Sequence, residues 1–214
     1  MKTEPVEVLV VGAGPTGLTL AARLRSFGAT FRIVDRQPDR VHESRALAVQ
    51  PRTLEVLAGL GITETMVERG NPAVRLQMHI GSRRTEVPLF DIGLEDTAYP
   101  FLLFLSQAAT EAILGEHLAQ RGTPVERGVE LIDLRQDPDR VTSTLRHHDG
   151  RTEEVTARYV VGCDGAHSSV RDRAGIGFVG SAYPQTFVLA DTDAEGLDPG
   201  AAHVYLAEPG MVFF

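Results

Sequence analysis

Gly12-Ala13-Gly14-Pro15-Thr16-Gly17 spaces three glycines as a strand-to-helix turn does when it holds a dinucleotide. The first glycine permits the bend, the second lets a pyrophosphate approach the backbone, and the third lets helix and strand pack closely. The free N–H groups and the dipole of the following helix then face the phosphates. Gly12, Gly14, Pro15, Thr16 and Gly17 are therefore candidate cofactor contacts. Asp35 stands 18 residues after Gly17, where a carboxylate accepts from a ribose 2′-hydroxyl and would repel a 2′-phosphate. Arg36 beside it offers the adenosine a stacking or pairing group, or is simply a surface arginine. Much later, Gly162-Cys163-Asp164-Gly165 closes a short apolar run and is followed by Ser168, Ser169 and Arg171. That grouping fits a polar dinucleotide crevice, although Asp164-Gly165 alone reads better as an ordinary loop with an Asp–Arg pair.

These residues need particular elements to position them. Val6 to Val11 is a β-branched run, read as a buried strand. A helix is predicted from Pro15 to a stop at Gly28, with Leu20, Leu24 and Phe27 on one face. Thr30 to Val34 is predicted as a second strand ending at Asp35, which completes a βαβ unit. A second helix is predicted from Pro51 to Gly59 or Gly61. Val74, Leu76, Met78 and Ile80 alternate with Arg75, Gln77 and His79, which predicts a strand with the polar set on a wet face; Val87 and Leu89 continue the alternation after a turn. Phe101 to Leu105 reads as a strand, and Ser106 as the cap of a helix running to Arg121. Val125 to Leu134, Val141 to His147 and Arg151 to Ala157 read as a meander turning at Asp149-Gly150. Arg158 to Val161 is read as one more short buried strand, and Met211 to Phe214 as the start of another.

Arg45-Ala46 with Pro51-Arg52-Thr53-Leu54-Glu55-Val56-Leu57, Ser106-Gln107 with Thr110-Glu111 and Leu114, and Tyr159 to Arg171 together resemble the class A flavoprotein monooxygenases. These are FAD-dependent aromatic hydroxylases with the para-hydroxybenzoate hydroxylase fold. The resemblance runs from Val6 to about Asp193. It implies an α/β architecture: a doubly wound, Rossmann-like FAD/NAD(P)-binding domain with a β-meander, over 1–72 and 106–178. Part of a β-sheet substrate domain would occupy 73–105 and 179–214. It further implies that Arg45 approaches the FAD pyrophosphate, that Gln107 touches FAD, and that Asp164 and Gly165 serve FAD and NAD(P)H. In the implied reaction NAD(P)H reduces the flavin, O2 reacts with it, and oxygen is transferred to an electron-rich phenolic or polyketide-like ring. The cofactor does that chemistry, while the protein orients and excludes water. No catalytic acid or base stands out.

The sequence departs from the family in having no Gly-Asp dipeptide, the pair whose aspartate contacts the ribityl chain. The expectation is therefore that a C-terminal half or a partner chain is missing and that the chain does not turn over alone. A non-catalytic FAD-binding module, or another flavin oxidoreductase such as an epoxidase, is the alternative.

A formal charge of −8 leaves no basic footprint for nucleic acid and disfavours an anionic membrane. Cys163 is the single cysteine, so no intrachain disulfide forms; it reads as a small buried filler, and a soluble, cytoplasmic protein is expected. His42, His79, His117, His167 and His203 lack the spacing of a zinc site, and no metal is expected.

Overall fold

The computed structural model describes residues 5–40, 46–73, 75–88, 96–184, 186, 188, 195–198, 200–208 and 210–214. Arg45, Val74 and Leu89, on which expectations rested, lie outside them. In chain order the elements are β1 (Val6–Val11), α1 (Pro15–Ser26), β2 (Phe31–Asp35), β3 (Ala48–Val49), α2 (Pro51–Ala58), α3 (Thr63–Arg69) and β4 (Asn71–Ala73). Then follow β5 (Arg75–Ile80), β6 (Arg83–Pro88), β7 (Leu102–Phe104), α4 (Gln107–Gln120), β8 (Glu126–Arg127), β9 (Val129–Gln136) and β10 (Val141–His147). The chain closes with β11 (Thr152–Gly162), α5 (Ser169–Arg173), β12 (Ala201–Ala207) and β13 (Gly210–Phe213). They form two compact units, 1–42 with 110–188 and 43–109 with 189–214.

The first unit is built on a six-stranded sheet of order β8-β2-β1-β11-β10-β9. Strands β8, β2, β1 and the second half of β11 run parallel, a Rossmann-like arrangement. Strands β9, β10 and the first half of β11 form the antiparallel meander. The meander's last strand and the strand before Asp164 were expected as two; they are one. Ala157 is the hinge, opposite Val141 on one side and Val6 on the other. The second half of β11 was expected to be buried, but Tyr159 is 55% exposed.

Alternation along β1 divides the core. Leu9, Val11 and Val34 pack with Val129, Leu131, Leu145 and Val155 of the meander, so the meander covers one face of the parallel sheet. Helix α1 packs on β1 and β2 through Gly17, Leu18, Ala21 and Ala22. This corrects the expected apolar face. Leu20 and Leu24 are only half-buried, and Phe27 is 80% exposed. Gly17, Ala21 and Ala22 form this contact together with Leu18 because a helix entering from a glycine turn lies close to the strand.

In the second unit, β3-β7-β4 form a small antiparallel sheet, and β13-β12-β5-β6 a larger one in which β12 and β5 are parallel. Helix α2 is followed by α3, where no element was expected, and Leu54, Leu57 and Met66 are fully buried. The wet face expected on β5 is also corrected. Gln77 is 1% exposed and Ile80 is 53% exposed. Gln77 is satisfied by Arg84 and by Asp198 at 3.4 Å, and a hydrogen-bonded amide is tolerated in the interior.

Candidate dinucleotide site

Strands β1 and β11 lie side by side with Val11 opposite Gly162, so the two glycine-rich turns leave the same end of the sheet together. The Cys163 N–H donates to the Val11 carbonyl at 2.7 Å, and the Gly12 N–H to the Val34 carbonyl at 2.8 Å. Strand β2 brings Asp35 to the same end, the carboxyl end of the parallel strands, where open α/β sheets bind ligands.

The three glycines of the first turn are needed for different reasons. Gly12 has φ +101°, and a Cβ there would sit 2.3 Å from the Cys163 carbonyl oxygen. A Cβ on Gly17 would sit 1.9 Å from the Gly12 carbonyl oxygen. Both are demanded by the chain's own packing. Gly14 is not: its φ of −73° suits any residue, and the nearest atom to a Cβ would be Glu111 Oε1 at 4.0 Å. Space is left beside Gly14 at the N-terminus of α1, where no side chain caps the helix. An open approach to unengaged helix N–H groups fits a pyrophosphate. Pro15, at the first helical position, and exposed Thr16 flank that opening.

Asp35 is more than a strand-end residue. Its Oδ2 accepts from the Ala13 N–H at 2.6 Å and its Oδ1 from the Gln37 N–H at 2.8 Å. The carboxylate thus fixes the glycine turn, and Arg127 Nη1 of β8 stands 3.8 Å from it. Sequence reading missed Arg127, because only the parallel pairing of β8 with β2 puts Arg127 opposite Asp35. Arg36 points into solvent.

Asp164 builds the second turn. Its Oδ1 accepts from Ser168 Oγ at 2.5 Å, and its Oδ2 from the N–H groups of Ser169 at 2.6 Å and Val170 at 3.3 Å. Ser168 in turn caps α5 by accepting from the Arg171 N–H. Gly165 follows with φ +78°, and Gly162 is required because a Cβ there would lie 2.8 Å from Val170 Cβ. Arg171 does not pair with Asp164: it donates to the Ala166 carbonyl at 3.0 Å and to Asp172. Cys163 Sγ is pushed toward the thiol form by burial and by Asp164, which disfavours a reactive thiolate.

Gln107 belongs to the other unit. It opens α4 and donates its N–H to the Ala46 carbonyl at 3.0 Å, while Ser106 caps the helix by accepting from the Ala109 N–H at 3.2 Å.

The family described as FAD binding domain matches residues 5–213. The chain belongs to the FAD-binding, class A aromatic hydroxylase family. The 6-methylpretetramide 4-monooxygenase of Streptomyces rimosus is 45% identical over 185 residues, 86% of this chain and 33% of that protein. A rifampicin monooxygenase of Streptomyces venezuelae is 40% identical over 81% of this chain and 35% of its own length. Among solved structures, the OxyS anhydrotetracycline hydroxylase of Streptomyces rimosus matches with TM-score 0.72 and 34% identity, over 83% of this chain and 35% of that one. The p-nitrophenol 4-monooxygenase PnpA of Pseudomonas putida DLL-E4 matches with TM-score 0.78 and 26% identity, over 86% of this chain and 46% of that one. The chain spans about a third of the length of the curated relatives it matches. Among the described residues, no helix is long and apolar enough to cross a membrane, and no three His, Cys, Asp or Glu side chains cluster as metal ligands.

Proposed function

We propose that this chain holds FAD for a monooxygenase that uses NAD(P)H and O2 to hydroxylate a phenolic or polyketide-like aromatic. The observation that carries the reading is the contrast within the first turn: Gly12 and Gly17 are closed by the chain itself, and Gly14 faces open space. Gly12, Gly14, Pro15, Thr16 and Gly17 would then hold the pyrophosphate, with Arg45 as a further donor. Asp35 and Arg36 would hold the adenosine. Gln107, Asp164 and Gly165 would serve the remainder of the cofactor. FAD supplies the redox chemistry, and the chain's own groups bind and orient it. The functional FAD-binding domain in this proposal comprises 1–72 and 106–178, with 73–105 and 179–214 contributing to a substrate-binding sheet.

Titration of the purified chain with FAD and with NAD tests the cofactor choice, and FAD is expected to bind more tightly. Gly14→Val should leave the fold intact, because its Cβ meets nothing closer than 4.0 Å, and abolish FAD binding. Asp35→Ala should weaken FAD binding by roughly 1.5–3 kcal/mol, the scale of a hydrogen bond to a charged group. Asp35→Asn keeps an acceptor for the Ala13 N–H, so it separates support of the turn from contact with the ribose. Tighter binding of NAD, or unchanged FAD affinity in Gly14→Val, would sink the reading. Substrate-stimulated NAD(P)H oxidation with a hydroxylated product separates the hydroxylase from an FAD-binding module without turnover.

A further inference from the structure

Strand β8 is only two residues long, Glu126–Arg127, yet it forms one edge of the six-stranded sheet. So short a strand makes few ladder bonds against the entropy lost in ordering it, and its side chains must supply the rest. Successive residues of a strand point to opposite faces. Glu126 is in register with Val34, which packs into the core under the meander, and on that face it accepts from Arg32 Nε at 2.7 Å and Nη2 at 2.6 Å. Arg32 Nη2 also donates to Glu153 Oε1 of β11 at 2.7 Å, and Glu153 meets His147 of β10 at 3.1 Å. This clasp ties β8 to β2, β11 and β10. Arg127 lies on the opposite face, in register with Asp35. Its Nη1 stands 3.8 Å from Asp35 Oδ2 and donates to the Asp39 carbonyl at 3.4 Å. The Gly128 N–H donates to the Gln37 carbonyl at 3.0 Å, and the Gln37 N–H returns to Asp35 Oδ1 at 2.8 Å. The end of β8 thus closes a ring around Asp35 that runs through the Gln37–Asp39 loop.

We propose that Arg127 is a positioning residue of the dinucleotide site, acting through Asp35, and that the Arg32–Glu126 clasp serves to hold it there. The proposal rests on the reading of Asp35 as the ribose ligand. Both Asp35 oxygens already accept main-chain N–H groups, so a ribose hydroxyl must use a lone pair that those bonds leave over. The direction of that lone pair depends on how the carboxylate is turned, and a misaligned hydrogen bond weakens steeply. Among the described residues Asp35 has one ion-pair partner, Arg127. Their side chains are only 14% and 23% exposed, so salt and water screen the pair less than a surface pair. Arg127 Nη1 carries two N–H groups and faces the Asp35 carboxylate and the Asp39 carbonyl together, which fixes the acid and the loop against each other. A lysine ammonium, with three rotatable donors, can address the same two oxygens less rigidly. The clasp acts at one remove. Without Glu126 the two-residue strand loses its anchor on the meander face, and Arg127 loses its register with Asp35. The Arg32–Glu126–Glu153–His147 cluster thereby gains a part in binding as well as in stability.

Equilibrium titration of the purified chain with FAD, followed by flavin fluorescence, is the test. Arg127→Met is expected to weaken FAD binding about tenfold, the scale of one charge-assisted contact, and Arg127→Lys to recover most of that loss. In the Asp35→Ala background Arg127→Met should add no more than about twofold, because the group it acts through is gone. Glu126→Gln should weaken binding about threefold in the unaltered chain and add nothing to Arg127→Met. Should Arg127→Met fail to fold, Arg127→Gln, neutral but polar, takes its place in the same cycle. Unchanged affinity in Arg127→Met overturns the proposal. So does an equal loss with and without Asp35 that lysine fails to relieve, which is what a merely structural arginine would give. If NAD binds in place of FAD, the cycle is read with NAD, because both dinucleotides present an adenosine ribose. The FAD reading then fails while the role of Arg127 is still decided by the cycle; binding of neither dinucleotide overturns both.

Discussion

The two larger sheets of this protein solve the problem of their exposed surfaces in opposite ways. The six-stranded sheet of the first unit is packed by α1 through Leu18, Ala21 and Ala22 and by the meander through Leu131, Leu145 and Val155. Its candidate dinucleotide site lies at the strand ends, where main chain, Asp35 and Asp164 are held by hydrogen bonds. The four-stranded sheet of the second unit gathers polar and aromatic side chains on a face: Gln77, His79, His203 and Tyr205. Its edges differ as well. Strand β6 is exposed throughout but holds Arg83, Arg84 and Glu86, charges that discourage pairing with another strand. Strand β13 has no such guard: Met211 is 62% exposed, and Val212, Phe213 and Phe214 are exposed beside it. A cluster at strand ends is set by backbone geometry, whereas a cluster on a face is set by which strands pair.

Gly17→Ala should break the first region most severely. The new Cβ would lie 1.9 Å from a main-chain oxygen, which no side-chain rotation relieves. A loss of about 4 kcal/mol or more is expected by urea denaturation, the range kept for severe core defects. A mild effect would mean that the strand-to-helix turn is not rigid, and the comparison would lose its basis.

Arg32→Ala comes next. Arg32 of β2 donates to Glu126 at 2.6 Å and 2.7 Å and to Glu153 at 2.7 Å, and Glu153 also meets His147 at 3.1 Å. These groups tie β2 and β8 to the meander. Removing the cation strands Glu153, which is largely buried, at a cost of about 3 kcal/mol. Arg32→Ala with unchanged stability would show that the apolar packing alone holds the meander in place.

Acid should loosen the first region in two stages. Burial and Arg121 lower the pKa of His117 from its ordinary 6.5. The fold prefers the neutral ring, so stability is complete above 6.5 and falls as the pH drops below it. Glu153 is raised by burial but lowered further by Arg32 and His147, and its net pKa lies below the ordinary 4.5. Its contribution is complete above 4.5 and is lost as the pH falls through the depressed value. Urea midpoints measured from pH 8 to 3 should decline in both windows, and His117→Gln should flatten the first. A midpoint that is constant from pH 7 to 5 would contradict the assignment to His117.

The smallest change in stability is expected from Val212→Lys. An exposed strand position should shift folding by no more than about 0.5 kcal/mol. Self-association of the chain, followed by light scattering, should nevertheless fall, because a lysine guards the β13 edge as Arg83 and Arg84 guard β6. Undiminished association would place the sticky surface elsewhere.

The sequence by itself determined the elements whose signals are local. Gly12 to Gly17, Asp35, the stop at Gly28, the Ser106 cap and the Asp149-Gly150 turn are legible because each depends on one turn's dihedral angles or one period of alternation. The resemblance to class A hydroxylases was legible for the same reason, being written in short contiguous runs. Only the tertiary structure decided which of Gly12, Gly14 and Gly17 is left with open space beside it, because that depends on what lies across from each. It made one strand of Thr152 to Gly162, where periodicity suggested two. It buried Gln77 and exposed Ile80 against their hydropathy, and it set Arg127 beside Asp35 and His79 beside His203. For Gly12, Arg127 and His79 the deciding contact comes from a segment distant in sequence, and the alternation of one strand carries no information about its neighbour.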